Sequence, residues 1–457
     1  MERLYDATSE QIQSWHHYTR NPTHLNHQII ILETTLIAPD LTALDQAIEY
    51  LVIRHESLRT YFVKGEDDLK QCVVPFDPKL FLPVCYDFCG LSSPDVRMQE
   101  VRDEIKRRLS DLSTAPLMCC AIFKLSKVEY QVCFMVHHII SDEWSKVILH
   151  KELGTIYELF RRGEKVDFPP LEMQLKDYAA WQRKWFKENG AAARSYWSQK
   201  LSSHTGIDAA KLRQHYDPLL SRSFGVNYDK TAYSNVDAVK GMLNAGKAAV
   251  CNSYICGEEY AALNEYCRLG RVSIGAMLNA SFQLLFHTLT GKQKILLAMP
   301  VVNRFMEGTL SIIGGLGGGV YLLQPIHPDM LVSNFIREVY LEFLKSAGTL
   351  IFDHEEMELS GETLRLLTDL YVNFMNKSVT SNEKIKVLSG AEHLMLNDPE
   401  YYGISCIITE YQDGLLLQWK YNVALYTVAF VDELIQKHLL QLRLITLHPD
   451  IIISDLY

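Results

Sequence analysis

Glu129 to Leu149 reads EYQVCFMVHHIISDEWSKVIL: a strand, two histidines and the opening of a helix. Tyr130, Val132, Phe134 and Val136 alternate with Gln131, Cys133, Met135 and His137. That period of two predicts a β-strand. The strand runs into His137 and His138, Ile139 to Ser141 form a short link, and a helix is expected from Asp142. Asp142 suits the N-cap, and Glu143 suits the first turn, where the helix dipole favours an acid. Neighbouring strand residues face opposite ways. One histidine is therefore expected to pack and the other to face an open cavity. Taken alone, an HHxxxD segment also suits two core histidines at a strand end, or a metal pair.

Upstream, Leu117 to Leu125 is a strand expected to pair with the histidine strand. Leu41, Leu44, Ile48, Leu51 and Val52 keep helical spacing behind Asp40, a second N-cap candidate. That helix leads through RHESLRTYF, Arg54 to Phe62, into a strand. Residues 98–112 read as a helix whose Lys106, Arg107 and Arg108 form a solvated face. Ser9 to His17 is an early helix or turn, and His27 to Thr35 is β-rich.

Downstream, the chain breaks at Phe168-Pro169-Pro170, and a long helix is expected from Lys176 to Ser202. Residues 203–250 carry little periodicity and read as a bridge. Beyond it come an apolar helix at 272–289, a short buried strand at 295–299, and Asn303-Arg304. The glycine-rich IIGGLGGGVYLL, Ile312 to Leu323, reads as a flexible floor or crossover; it lacks the GK[ST] of a phosphate loop. Strands are expected at 369–375 and across 404–420, the latter turning at Gln412-Asp413-Gly414, and a final helix at 431–446. This order predicts an α/β fold with mixed sheets of the α+β kind.

The chain has 457 residues, enough for two domains. Hydrophobic residues make up 48% and charged residues 22%, as in an ordinary globular protein. A formal net charge of −10 argues against nucleic acid as the main partner, while leaving room for an acidic protein on a local basic patch. The N-terminus has no apolar signal core, and no run of about 18 apolar residues spans a membrane. The ten cysteines show no CxxC pair and no zinc spacing. A cytoplasmic protein without a metal is expected.

Several further segments fall in one order. Ser9, Gln11 and Trp15 loosely match SxxQxxxW, with the serine one residue too close to Gln11. Arg54, His55, Glu56, Leu58, Arg59, Thr60 and Phe62 match RHExLRTxF. His137, His138 and Asp142 match HHxxxDG, followed by Trp144 and Ser145. Asp177, Tyr178, Ala179, Trp181 and Gln182 match YxDYAxWQ with Leu175 in place of its first tyrosine, and Pro300, Val301 and Arg304 match PVxxR. Ile313 and Gly314 begin an IGxFVNT-like segment, and PDIIISDL resembles a family's last strand. In this order the chain resembles a condensation domain of nonribosomal peptide synthetases, from about residue 5 to 456. It departs at Glu143, where the motif has glycine, and at Gly318 and Gly319, where IGxFVNT has asparagine and threonine.

The resemblance implies two lobes similar to chloramphenicol acetyltransferase, a V-shaped pseudo-dimer with a tunnel at the junction. The division is expected at 1–174, carrying HHxxxD, and 175–457, carrying PVxxR and the glycine-rich crossover. It implies acyl transfer from a carrier-protein phosphopantetheine thioester to a small-molecule amine or alcohol, or to an acceptor on a second carrier. No cofactor is then bound by the chain itself. His138 would act as general base or nucleophile-positioning group, and His137, Asp142 and Arg304 would be structural. Asp142 would pair with Arg304 and tie the lobes together. Oxyanion donors are expected near the helix start after Asp142. Glu143, with Trp144 and Ser145, would either face solvent or modulate the acceptor side. The chain has no adenylation or carrier region of its own, and the Met1 start near the first motif points to a freestanding monomer served by carriers in trans. A coenzyme A-dependent acyltransferase of the same superfamily, a recruitment domain without catalysis, and epimerisation within the same fold remain alternatives.

Overall fold

The computed structural model describes residues 3–20, 29–65, 68–202, 247–349, 370–375, 385, 394–399, 403–423 and 425–456. The expected bridge lies outside them up to residue 246, as do His27, Gln28 and Asp369. The chain divides into two compact units: Met1–Ala192 with Val302–Gly318, and Ala193–Val301 with Gly319–Tyr457.

The first unit runs β1 (Leu4–Asp6), α1 (Ser9–Arg20), β2 (Ile29–Ile37), α2 (Leu41–Arg54), β3 (Thr60–Lys64) and β4 (Leu69–Val73). It continues through α3 (Pro78–Phe81), β5 (Val84–Asp87), α4 (Pro94–Leu109), β6 (Met118–Lys124), β7 (Glu129–His137) and α5 (Glu143–Arg161), then enters the long α6 (Leu175–Leu201). One sheet has the order β2-β7-β6-β5, with β7 antiparallel to both neighbours and β5 parallel to β6. A second, antiparallel sheet has the order β1-β4-β3.

The central strand β7 is covered on both faces. Val132, Phe134 and Val136 share a core with Leu44, Ile48 and Leu51 of α2 and with Ile148, Leu149 and Leu153 of α5. Cys133 and Met135 share another with Met98, Val101 and Ile105 of α4. This is why the alternation sets apolar against apolar: both faces of the strand meet helices. Each such side chain contributes about 1.5–3 kcal/mol on burial. The Asp40 carboxylate caps α2 by accepting from Ala43 N at 3.0 Å. α4 starts at Pro94, ahead of the expected residue 98, because proline fits the first helical position.

The second unit runs β8 (Lys247–Cys256), α7 (Gly257–Gly270), α8 (Ile274–Thr290), β9 (Leu297–Val301), β10 (Gly318–Leu322) and α9 (Val332–Ala347). It ends with β11 (Leu370–Met375), β12 (Leu394–Pro399), β13 (Ile404–Glu410), β14 (Gly414–Asn422) and α10 (Val428–Leu447). Its sheet has the order β10-β9-β11-β13-β14-β8-β12, with β11 parallel to β9 and β13, and β14 antiparallel to β13 and β8. The mixed α/β class is as expected. The expected last strand is not one. Ile452 makes a single bridge to Leu331, and Ile453–Leu456 turn into a 3₁₀ helix. Three consecutive isoleucines read as β, but the chain there is pinned by isolated bonds from Ile453 N to Met330 O and Ser454 N to Pro328 O. Among the described residues no single helix is long and apolar enough to cross a membrane. The bent pair α7 and α8 passes that test by length and composition, and α8 is buried from Ala276 to Phe286.

Candidate active site

β7 ends at His137, and a 3₁₀ turn, His138–Ile140, follows at once. His137 is 1% exposed. Its Nδ1 accepts from Ile139 N at 3.0 Å, which places the proton of the neutral ring on Nε2. Burial, with His138 beside it, lowers the His137 pKa to about 3, so this ring stays neutral. His138 is exposed, while Ile139, Ile140, Ser141 and Asp142 after it are buried. The two rings therefore separate because the chain turns after His137, not because of strand phase.

Asp142 holds the next corner. It caps α5 in a capping box: Ser145 N and Ser145 Oγ both reach Asp142 Oδ1 at 2.7 Å, and Asp142 N donates to Ser145 Oγ at 3.1 Å. Arg304 Nη2 lies 2.9 Å from each Asp142 oxygen, and Leu316 N donates to Oδ2 at 3.3 Å. Arg304 also donates through Nη1 to Thr309 O at 2.7 Å and Ile312 O at 2.6 Å, and through Nη2 to Gly314 O at 3.1 Å. The two side chains are only 1% and 10% exposed. The structure thus brings Asp142 and Arg304 together inside the first unit, to which Val302–Gly318 belongs. With its lone pairs engaged, Asp142 is poorly placed to take a proton from a substrate.

The glycine-rich segment packs closely against this corner instead of forming a loose floor. Ser145 Oγ meets Gly314 N at 3.0 Å and Gly314 O at 3.2 Å. A Cβ on Gly314 would stand 2.6 Å from Leu175, and one on Gly315 would stand 3.2 Å from His138 O. Only the missing side chain allows backbone to approach the His138 turn so closely. Gly318 and Gly319 belong to β10. Trp144 donates its indole N–H to Leu310 O at 3.0 Å, and Glu143 is exposed in the first turn of α5. The amides of Asp142 and Ser145 are both engaged within the capping box.

Gln11 of α1 supports the turn, and Gln182 of α6 supports the start of α1. Gln11 donates from Nε2 to Ile139 O at 3.3 Å. Thr8, not Ser9, is the hydroxyl paired with Gln11: Thr8 N donates to Gln11 Oε1 at 2.9 Å, and Gln11 N to Thr8 Oγ1 at 3.1 Å. Thr8 also restores the three-residue spacing that Ser9 lacks. Gln182 Oε1 accepts from Ser9 N at 2.8 Å. The RHExLRTxF segment staples helices. His55 Nε2 and Arg54 Nε lie 2.8 and 3.2 Å from Glu152 Oε2 on α5, and Glu56 pairs with Lys176 on α6. Burial lowers the His55 pKa, with Glu152 opposing it.

Sequence reasoning missed Thr8 and the Leu316 amide. The T-x-x-Q spacing was a usable signal for the first; a backbone donor 174 residues from Asp142 left none. No group of three or more His, Cys, Asp or Glu among the described residues could hold a metal ion.

A family model described as Condensation domain matches residues 1–456. A component of the linear gramicidin synthase of Brevibacillus parabrevis is 27% identical over 432 residues, covering 90% of this chain and 8% of that protein. The chain thus spans under a tenth of that relative's length. The X-domain complexed with OxyB from teicoplanin biosynthesis superposes with a TM-score of 0.73 at 16% identity, covering 99% of this chain and 95% of that one. A mutant starter condensation domain of rhizomide synthetase RzmA, in complex with C8-CoA and Leu-SNAC, gives 0.70 at 16% identity, covering 99% and 96%. At these identities the two structures establish the fold alone.

Proposed function

Because this chain belongs to the condensation-domain family, whose enzymes are acyltransferases forming amide or ester bonds, we propose that it transfers an acyl or aminoacyl group from a carrier-borne phosphopantetheine thioester to an amine or alcohol. The carrier protein acts in trans, in the cytoplasm, and His138 is the reacting-site base. One observation carries the assignment of the base: of the two motif imidazoles, only His138 is exposed, while Asp142 is bound on both oxygens. In the reaction the acceptor nitrogen or oxygen attacks the thioester carbon and loses its proton to His138. The carbon–sulfur bond then breaks, and the departing thiolate takes that proton. Atoms and charge balance without metal or redox partner. A neutral imidazole can take a proton at one step and return it at the next, as such a transfer requires.

Glu143 follows this base by five residues and is exposed, and in this reading its carboxylate favours acceptors that carry a positive charge. The experiment is mass spectrometry of the protein incubated with acylated carriers and candidate acceptors, with the same acyl groups offered on coenzyme A. Product from carriers, lost in His138→Ala, supports the proposal. Product from coenzyme A alone replaces the donor, and no product from either donor favours a recruitment role.

A further inference from the structure

The turn that carries His138 is closed by its own segment: Ser141 N donates to His138 O at 3.2 Å, and Ile139 N to His137 Nδ1 at 3.0 Å. Among the described residues, one side chain from elsewhere in the chain bonds to His138–Ser141: Gln11, whose Nε2 donates to Ile139 O at 3.3 Å. The other hydrogen of that nitrogen goes to Gln71 Oε1 on β4, 3.4 Å away. Gln71 in turn donates from Nε2 to Asp6 O on β1 at 2.7 Å. Gln11 and Gln71 are 0% and 1% exposed. They form a buried chain of two carboxamides from the β1–β4 pair to the motif turn.

The direction of both amides is set by their other partners. Gln11 Oε1 accepts from Thr8 N at 2.9 Å, so its nitrogen must face the turn. Asp6 O can only accept, so Gln71 gives it the nitrogen and turns its oxygen to Gln11. The start of α1 is itself fixed, because Gln11 N donates to Thr8 Oγ1 at 3.1 Å and Ser9 N to Gln182 Oε1 at 2.8 Å. Both peptide groups that flank the Ile139 Cα are therefore held, the N–H by His137 and the C=O by Gln11. Packing alone is non-directional, whereas a donor at a fixed place selects one orientation of a carbonyl.

We propose that Gln11 is a positioning residue for the acyl transfer: it acts on His138 through the Ile139 carbonyl, and Gln71 holds its amide in place. This rests on the reading of His138 given above. Without the Gln11 donor the turn keeps its internal bonds and loses the bond that ties it to α1 and β4. A general base must stay within hydrogen-bond reach of the proton it takes, so a small shift of the turn is felt in the rate.

Gln11→Met keeps the length of the side chain and removes its amide. At a temperature where the variant is folded, single-turnover product formation from the acylated carrier is expected to slow about 10-fold to 100-fold, with half-saturating carrier and acceptor concentrations within about twofold of wild type. In the His138→Ala background the same substitution should change the residual rate by less than about twofold, because it acts through that imidazole. Hydrogen exchange should quicken over residues 137–142 and stay as it is over residues 130–136 of β7. Gln71→Met, which removes only the outer link, should slow product formation about threefold to tenfold. A wild-type rate in Gln11→Met overturns the proposal. So does a loss confined to half-saturation, or the full loss repeated in the His138→Ala background. Unchanged exchange over residues 137–142 overturns the route through the turn. Should Gln11→Met not fold, Gln71→Met is judged by the same criteria. Wild-type turnover in His138→Ala removes the reading of His138, and the positioning role with it. An inactive His138→Ala beside a fully active Gln11→Met removes the positioning role alone.

Discussion

Two histidines, one in each unit, make an instructive contrast. His438 in the second unit has the partner a catalytic imidazole is usually recognised by: its Nε2 lies 2.8 Å from Ser281 Oγ. Yet both residues are 0% exposed, and the ring is packed against Phe282 and Trp419. Ser281 Oγ also donates to Leu278 O at 2.7 Å, so its proton is held by the helix and the imidazole must be the donor. His138 in the first unit has no such hydroxyl among the described residues, but it is exposed at a turn braced by Gln11, Asp142 and Arg304. The lesson is that access and bracing, more than a neighbouring hydroxyl, separate a working imidazole from a packing one.

The largest effect expected from breaking this contrast is at the brace. Asp142→Ala leaves Arg304 buried without its anion and should cost about 3–5 kcal/mol of stability, measured by urea unfolding. Arg304→Ala should cost a similar amount, and the double variant less than the sum, since the two act as one pair. In the second unit, Ser281→Ala leaves the His438 N–H without its acceptor. A loss of about 1–3 kcal/mol is expected, with turnover unchanged at a temperature where the variant is folded.

The smallest effect is in pH dependence. The pKa values of both His137 and His438 are lowered by burial from 6.5 to about 3. Between those values the unfolded chain binds protons that the folded chain does not. Stability therefore falls as pH drops from 6.5 toward 3. His438→Phe should flatten part of that slope in thermal unfolding.

Much of the first unit is legible in the sequence because its signals are local. The β7 alternation, the Asp40 and Asp142 caps and the RHExLRTxF segment each act within one or two turns of chain. Strand phase predicts only that the two histidines part, and the resemblance singles out His138; His138 is exposed, and a 3₁₀ turn is the cause. The glycines at 314 and 315 read as slack, whereas close approach of Leu175 and His138 O explains them. Such contacts are long-range and backbone-mediated, so composition and periodicity do not carry them. The terminal isoleucines show the converse: β-propensity without a neighbouring strand gives one bridge and a turn.

The most direct measurement is single-turnover product formation from an acylated carrier by His138→Ala and Ser281→Ala, each shown folded by circular dichroism. The account predicts that His138→Ala slows the step by about 100-fold to 10,000-fold while Ser281→Ala stays within about twofold of wild type. Wild-type rates in His138→Ala, or a collapse confined to Ser281→Ala, would contradict it.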